Sequence, residues 1–174
     1  AEDAIIVRDG VYRENIKVEK RLTLRSENES ENCIVQAACS HDPVFHVTAD
    51  HVNISGFTIK GGYKGIYLDN VENCYIANNN ISDNLYGISL WYSNNNVITD
   101  NNISDNWDGI ELWYSSDNTI TGNMMTNDGV FISGDELRHW NTHTIEDNTV
   151  NGKPLYYFKD RSGGKVPEDA GQVI

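Results

Sequence analysis

Two carboxylates and two indoles share one short stretch, WDGIELWY, starting at Trp107. Asp108 and Glu111 flank a strand-like run there, and two carboxyl groups on either side of a bond are what glycoside hydrolysis needs. Trp113 and Tyr114 follow directly, and the same pair stands 22 residues earlier as Trp91 and Tyr92. Rings beside acids suit stacking on sugar rings while the acids bond hydroxyls. Rings also stabilise one another by about 0.5–1.5 kcal/mol per pair with no ligand at all. A second set lies in GDELRHWNTH, where His139 and His143 sit four apart near Asp135 and Glu136. Mixed imidazole and carboxylate ligands suit copper or zinc, although no predicted helix aligns them. Calcium is the other cation to weigh on this acidic chain, but the EF-hand and nonapeptide patterns are absent.

What positions these residues is a repeat. Four segments fall into register, starting at Pro43, Gly65, Gly87 and Gly109; the first three are 22 residues long and the fourth is 20. A fifth starts at Gly129 and carries an insertion of about three residues, which repeat arrays place in loops. Apolar residues inside each unit alternate with period two, the signature of strands. Asn occurs 22 times and clusters between those strands, where it tolerates the left-handed conformation of sharp turns. Three short strands per unit, repeated, make the coils of an all-β, right-handed, single-stranded parallel β-helix.

The register sorts the side chains. Ile66, Ile88, Ile110 and Val130 form one inward column, and Leu68, Leu90, Leu112 and Ile132 a second. Ile76, Ile98, Ile120 and Ile145 form a third, and Ile81, Ile103, Met125 and Val150 a fourth. Asn79, Asn101, Asn123 and Asn148 align as a structural amide ladder. On the same alignment His46 falls in the Leu68 column, which predicts a buried core histidine. Alternation then turns Tyr67, Ser89, Glu111 and Phe131 outward. Beside them stand Asp69, Trp91, Trp113 and Ser133. Asn70, Tyr92 and Tyr114 follow at the next turn, and Tyr86 and Trp107 with Asp108 occupy the turn that enters these strands. An aromatic and acidic face results, the expected ligand site if the chain binds one.

Lys and Arg number 13 against 26 Asp and Glu, for a net charge of −13. Nucleic acid and anionic membrane surfaces are therefore unexpected partners. From Gly65 to Leu137 there are 11 acids and no Lys or Arg. That field repels acidic polymers and argues against a lyase acting on polyuronates. No apolar run reaches spanning length. Cys33 and Cys39 could pair or could be buried as small hydrophobes, and Cys74 is left over. Neither end carries an obvious polar cap. This predicts either an excerpt from a longer array, packed against other domains, or self-association of the ends.

HVNISGFTIKGG, the GIxLxxSxxNxI unit starts and NGKPLYYF resemble the NosD-like family of parallel β-helix repeat proteins, of the type found on the surface of methanogenic archaea. The resemblance covers nearly the whole chain. It implies a pectin-lyase-like solenoid in an extracellular, cell-surface or periplasmic location. The wider group includes a periplasmic protein implicated in copper delivery, and it is similar to carbohydrate-binding and sugar-hydrolase domains. It supplies no catalytic residues. The expectation is one domain over 1–174, with irregular coils over 1–42, regular repeats over 43–151 and an irregular coil over 152–174. Its expected role is binding or scaffolding, with carbohydrate or a cell-surface polymer as ligand. The competing expectation is a glycoside hydrolase or lyase using Asp108 and Glu111, and a copper-handling protein comes third.

Overall fold

Asn and Asp make the corners. Among the described residues, twelve of the fifteen non-glycine positions with positive φ are Asn or Asp, including Asn70, Asn78, Asp83, Asp100 and Asp105. Their short polar side chains lower the cost of the left-handed conformation, so each coil turns sharply between short strands, mostly of three to six residues. The computed structural model describes residues 3–160 and 162–174. They form three sheets wrapped around one core, parallel throughout except at the C-terminal end of the second. The first sheet has seven strands running from Ala4–Val7 to Thr144–Glu146, and the second has nine from Gly10–Arg13 to Gln172–Val173. The third has six, in the order Ile16–Val18, Phe45–Val47, Lys64–Asp69, Tyr86–Trp91, Asp108–Trp113 and Val130–Ser133.

The register agrees with the repeat. Ile88 pairs with Ile66 and Ile110, and Leu90 with Leu68 and Leu112. Ile76 pairs with Ile98, and Ile81 with Ile103. All four columns are buried. Each side chain packs on its counterpart one strand spacing away, about 4.8 Å. The recurring glycine has a steric cause: a Cβ on Gly87 would collide with the carbonyl oxygen of Gly109 on the next coil.

His46 is a correction. Phe45 pairs with Ile66 and His46 with Tyr67, one residue off the 22-residue alignment. The turn from Val47 to Asn53 is one residue shorter than that from Leu68 to Tyr75, and a one-residue slip moves a strand residue to the other face. His46 therefore faces outward, stacked on Tyr67 at 4.9 Å and 3.0 Å from Asp69.

The amide ladder is present, and it is one of several. Asn79 donates both its backbone N–H and its side-chain amide to Asn101 Oδ1, at 3.0 and 3.1 Å. Asn101 does the same to Asn123, and Asn123 to Asn148. A second ladder runs Asn84, Asn106, Asp128. A third runs from Cys74 through Asn96 and Asn118 to His143 Nδ1. Cys33, Cys39 and Cys74 are free thiols.

The two ends differ. At the C-terminal end Lys153–Tyr156 turns back antiparallel to Thr149–Val150, and Gln172–Val173 adds to it. The Gln172 amide accepts from Val130 N–H at 2.9 Å and donates to Val130 C=O at 2.7 Å, standing in for a neighbouring backbone. The last coil is covered by this segment. At the other end the strands of the first coil have one open edge, with Ile5, Ile6 and Val11 exposed.

Candidate functional site

The third sheet and the turns leaving it carry the expected face. Trp91 pairs in register with Trp113 and with Asp69. The two indole centroids are 6.0 Å apart, and Phe131 extends the row at 5.3 Å from Trp113. Tyr92 and Tyr114 stack face to face at 4.9 Å with planes 10° apart. Trp91 meets both of them edge-on. Trp107 stands well away from this packing, 77% exposed.

The backbone under the tyrosines is unusual. Tyr92 and Tyr114 have φ of 47° and 51°, in the slot where the preceding coil has Asn70 at 53°. Asn is at home in that conformation; a bulky side chain is an outlier there and costs on the order of 1–2 kcal/mol. The 22-residue repeat does not ask for tyrosine at this corner.

These turns border a groove of about 450 Å³. Tyr92 and Tyr114 form one wall. Asn94, Asn95, Ser116 and Asp117 supply hydrogen-bonding groups along it. The insertion after the strand Val130–Ser133 closes the far side with Asp135, Glu136, Arg138 and His139. Two sets of residues picked separately from the sequence, the aromatic corner and the His/acid cluster, thus share one groove.

The acids behave differently from one another. Glu111 is outward-facing but only 4% exposed, because neighbouring side chains lie over it. The Trp113 indole leans back to within 3.4 Å of its carboxylate. Burial raises its pKa above the usual carboxylate value, against the pull of Trp113, Ser89 and Lys64, and Asp108 pushes the same way as burial. Burial raises Asp108 as well. Ser89 is fully buried and its hydroxyl has no hydrogen bond of normal geometry, although it lies near enough to Glu111 to favour the charged carboxylate.

Lys64 was missed in the sequence. It pairs in register with Tyr86, which pairs with Asp108, so all three hold one position on consecutive coils. Its ammonium lies 3.6 Å from the Tyr67 ring centre. Burial lowers its pKa, while Glu111 and Asp69 oppose that shift. Burial first, and then Asp69, push the Tyr67 phenol up to about 12. The signal was available: Lys64 immediately precedes Gly65 as Tyr86 precedes Gly87. The stretch without cations begins one residue too late to describe this face.

The metal candidates divide. Asp135, Glu136 and His139 bring ligand atoms within 4.8 Å of one another. Each has a competing engagement. His139 Nδ1 accepts from Glu136 N–H at 3.2 Å and lies 3.5 Å from Asp135. Glu136 pairs with Arg138 at 2.9 Å. His143 is outside the cluster: its Nδ1 accepts from Asn118 N–H, and its Nε2 lies 3.1 Å from the carbonyl of His139. A metal would have to displace bonds that hold the insertion together, so these residues do not fit one as they stand.

Comparison with known proteins agrees with the geometry at the level of fold. An alginate lyase from Paenibacillus sp. str. FPU-7 superposes with a TM-score of 0.70 at 17% identity, over 90% of this chain and 70% of that one. A pectin methylesterase solved in complex with a hexasaccharide gives 0.59 at 12% identity, over 100% of this chain and 84% of that one. A cell surface glycoprotein of Methanothermus fervidus is 44% identical over 79 residues, 45% of this chain and 13% of its own length. The sequence profile of the family described as periplasmic copper-binding protein (NosD) matches residues 2–161. A match over that span, on a parallel solenoid built from these repeats, settles the family: this chain belongs to the NosD family.

Proposed function

We propose that this chain is an extracytoplasmic β-helix module that binds carbohydrate, with the ligand lying along Tyr92 and Tyr114 and the Trp91/Trp113 row beside them. One observation carries the reading: two tyrosines occupy left-handed corners where the coil before them has asparagine. Backbone strain kept in consecutive coils points from geometry to use. The groove beside the rings supplies amide, hydroxyl and carboxylate partners for sugar hydroxyls. The location is supported by the surface glycoprotein relative and the periplasmic family. The ligand class is supported by solved neighbours whose names refer to alginate and pectin and, in one, a bound hexasaccharide.

The test uses Tyr92→Asn/Tyr114→Asn, which places at both corners the residue found at Asn70. Lost ring stacking of about 0.5–1.5 kcal/mol is offset by relief of the backbone. The double variant should therefore melt within a few degrees of the wild type. On a glycan array it should lose the binding that the wild type shows. Equal binding by both proteins, or none by the wild type, removes the reading.

A second reading is a polysaccharide-processing enzyme using Asp108 and Glu111. It is favoured by two carboxyls raised by burial, Glu111 also feeling the charge of Asp108 and of Lys64. Against it, Glu111 is covered. Digestion of polysaccharide by the wild type that Glu111→Gln abolishes would establish it; no product from the wild type ends it. The copper in the family description meets, in the one three-donor cluster among the described residues, groups already bonded to one another.

A further inference from the structure

The groove is charged as well as aromatic. Of the residues lining it, Arg138 pairs with Glu136. Glu72, Asp117 and Asp135 then set its sign. Carboxylates in a concave site concentrate cations there more effectively than the same charges on a convex surface. Exposed charges are screened beyond about 8–10 Å at physiological salt, so the local acids matter here and the total charge of the chain does not. Ring faces add attraction of their own, because the aromatic quadrupole presents its negative side to a cation.

A neighbouring part of the same face shows what rings and carboxylates together hold in this protein. The Lys64 ammonium rests 3.6 Å from the centre of the Tyr67 ring, and Asp69 and Glu111 both favour its charge. The groove repeats that chemistry with Tyr92 and Tyr114 as rings and Glu72 and Asp117 as acids. Its one Lys or Arg among the described residues, Arg138, is directed to Glu136.

We infer that the groove selects cationic carbohydrate, that is, sugars bearing free ammonium groups, over neutral sugars and over uronates. The inference rests on the carbohydrate reading above and adds the ligand's charge class. An ammonium on the sugar ring takes the place that Lys64 takes on Tyr67, against a tyrosine face and a carboxylate. A uronate carboxylate meets like charge at the same point. The selectivity runs opposite to what the solved alginate and pectin enzymes of this fold would suggest, since their named polymers are acidic.

The experiment is calorimetric titration of the whole chain with three short oligomers: glucosamine trimer, N-acetylglucosamine trimer and galacturonate trimer. Each is measured at low salt and in 1 M NaCl. The glucosamine trimer should bind about tenfold more tightly than its acetylated counterpart at low salt, the sum of a few exposed ion pairs. The two should converge at 1 M, where the screening length is about 3 Å. Glu72→Gln/Asp117→Asn should erase the preference, the amine trimer losing about tenfold more affinity than the acetylated one; a preference that survives this variant overturns the inference. Equal affinity for the amine and acetylated trimers, or tightest binding of the uronate, overturns the charge selectivity while the carbohydrate reading stands. Undiminished glucosamine binding by Tyr92→Asn/Tyr114→Asn also overturns it, because the attraction would then not involve the groove. Binding of none of the three, with no glycan bound on the array, removes the carbohydrate reading and the inference together.

Discussion

Asn70, Tyr92 and Tyr114 occupy one corner of three consecutive coils with nearly the same φ, and they separate what the fold needs from what it only tolerates. Asparagine suffices for the turn; tyrosine adds a ring at a cost. Glu111 makes a similar point with charge. Its pKa is raised, burial being the first cause, so the native state keeps this proton at pH values where the unfolded chain has lost it. Stability from this group is full below the unfolded value, about 4.3, and falls as pH rises from there through the folded value. Glu111→Gln should therefore melt a few degrees higher than the wild type at pH 7 and no higher near pH 4. A lower melting temperature at pH 7 would mean that the pairing with Lys64 outweighs burial. At this scale the sequence was only partly legible. Tyr92, Tyr114, Trp91 and Trp113 were visible as repeated letters unexplained by the core. Lys64 was hidden by where the repeat boundary was drawn, and His46 by a turn one residue shorter than the consensus. That Glu111 is covered depends on how the Trp113 ring lies, which no pattern of residue types records.

The three short strands of each coil supply little hydrogen bonding at their corners, so the buried amides make up the difference. Asn101 Nδ2 donates to the carbonyls of Ile76 and Thr99 and to Asn123 Oδ1, and its own Oδ1 accepts from the N–H and the amide of Asn79. Asn101→Ala would leave several of these groups buried without partners, at about 1–3 kcal/mol each before relaxation. A net loss of about 3 kcal/mol should lower the melting temperature on the order of 10 °C, measured by calorimetry. A change within one or two degrees would show that water replaces the amide. The inward columns were readable because period two and a 22-residue spacing leave little choice of register. The ladder through Asn79 was readable for the same reason. Those through Asn84 and Asn96 were not singled out, because runs such as Asn94-Asn95-Asn96 look uniform in type. Only the alternation of turn conformations decides that Asn95 points out and Asn96 in.

As a whole the molecule is a column with unlike ends. The C-terminal segment lies across the last coil, and Gln172 satisfies both backbone groups of Val130. Deleting residues 153–174 would unpair that backbone and expose Val150 and the strand beside it. The expected result is lower thermal stability and concentration-dependent self-association, seen by light scattering, since open strand edges recruit other edges. A monodisperse monomer with unchanged melting would show that the last coil closes itself. This cover could not be read from the sequence because it depends on a side-chain amide imitating a peptide group 42 residues away. The uniform spacing of the central coils has a consequence of another kind. Because Gly, Ile, Leu, Asn and the corner tyrosine recur together at 22-residue intervals, one in-frame duplication of a coil copies a complete set of core, ladder and ring-stacking contacts at once. It would lengthen the aromatic wall by about 4.8 Å. Heredity can therefore adjust the length of the aromatic wall by counting coils, leaving every existing contact in place.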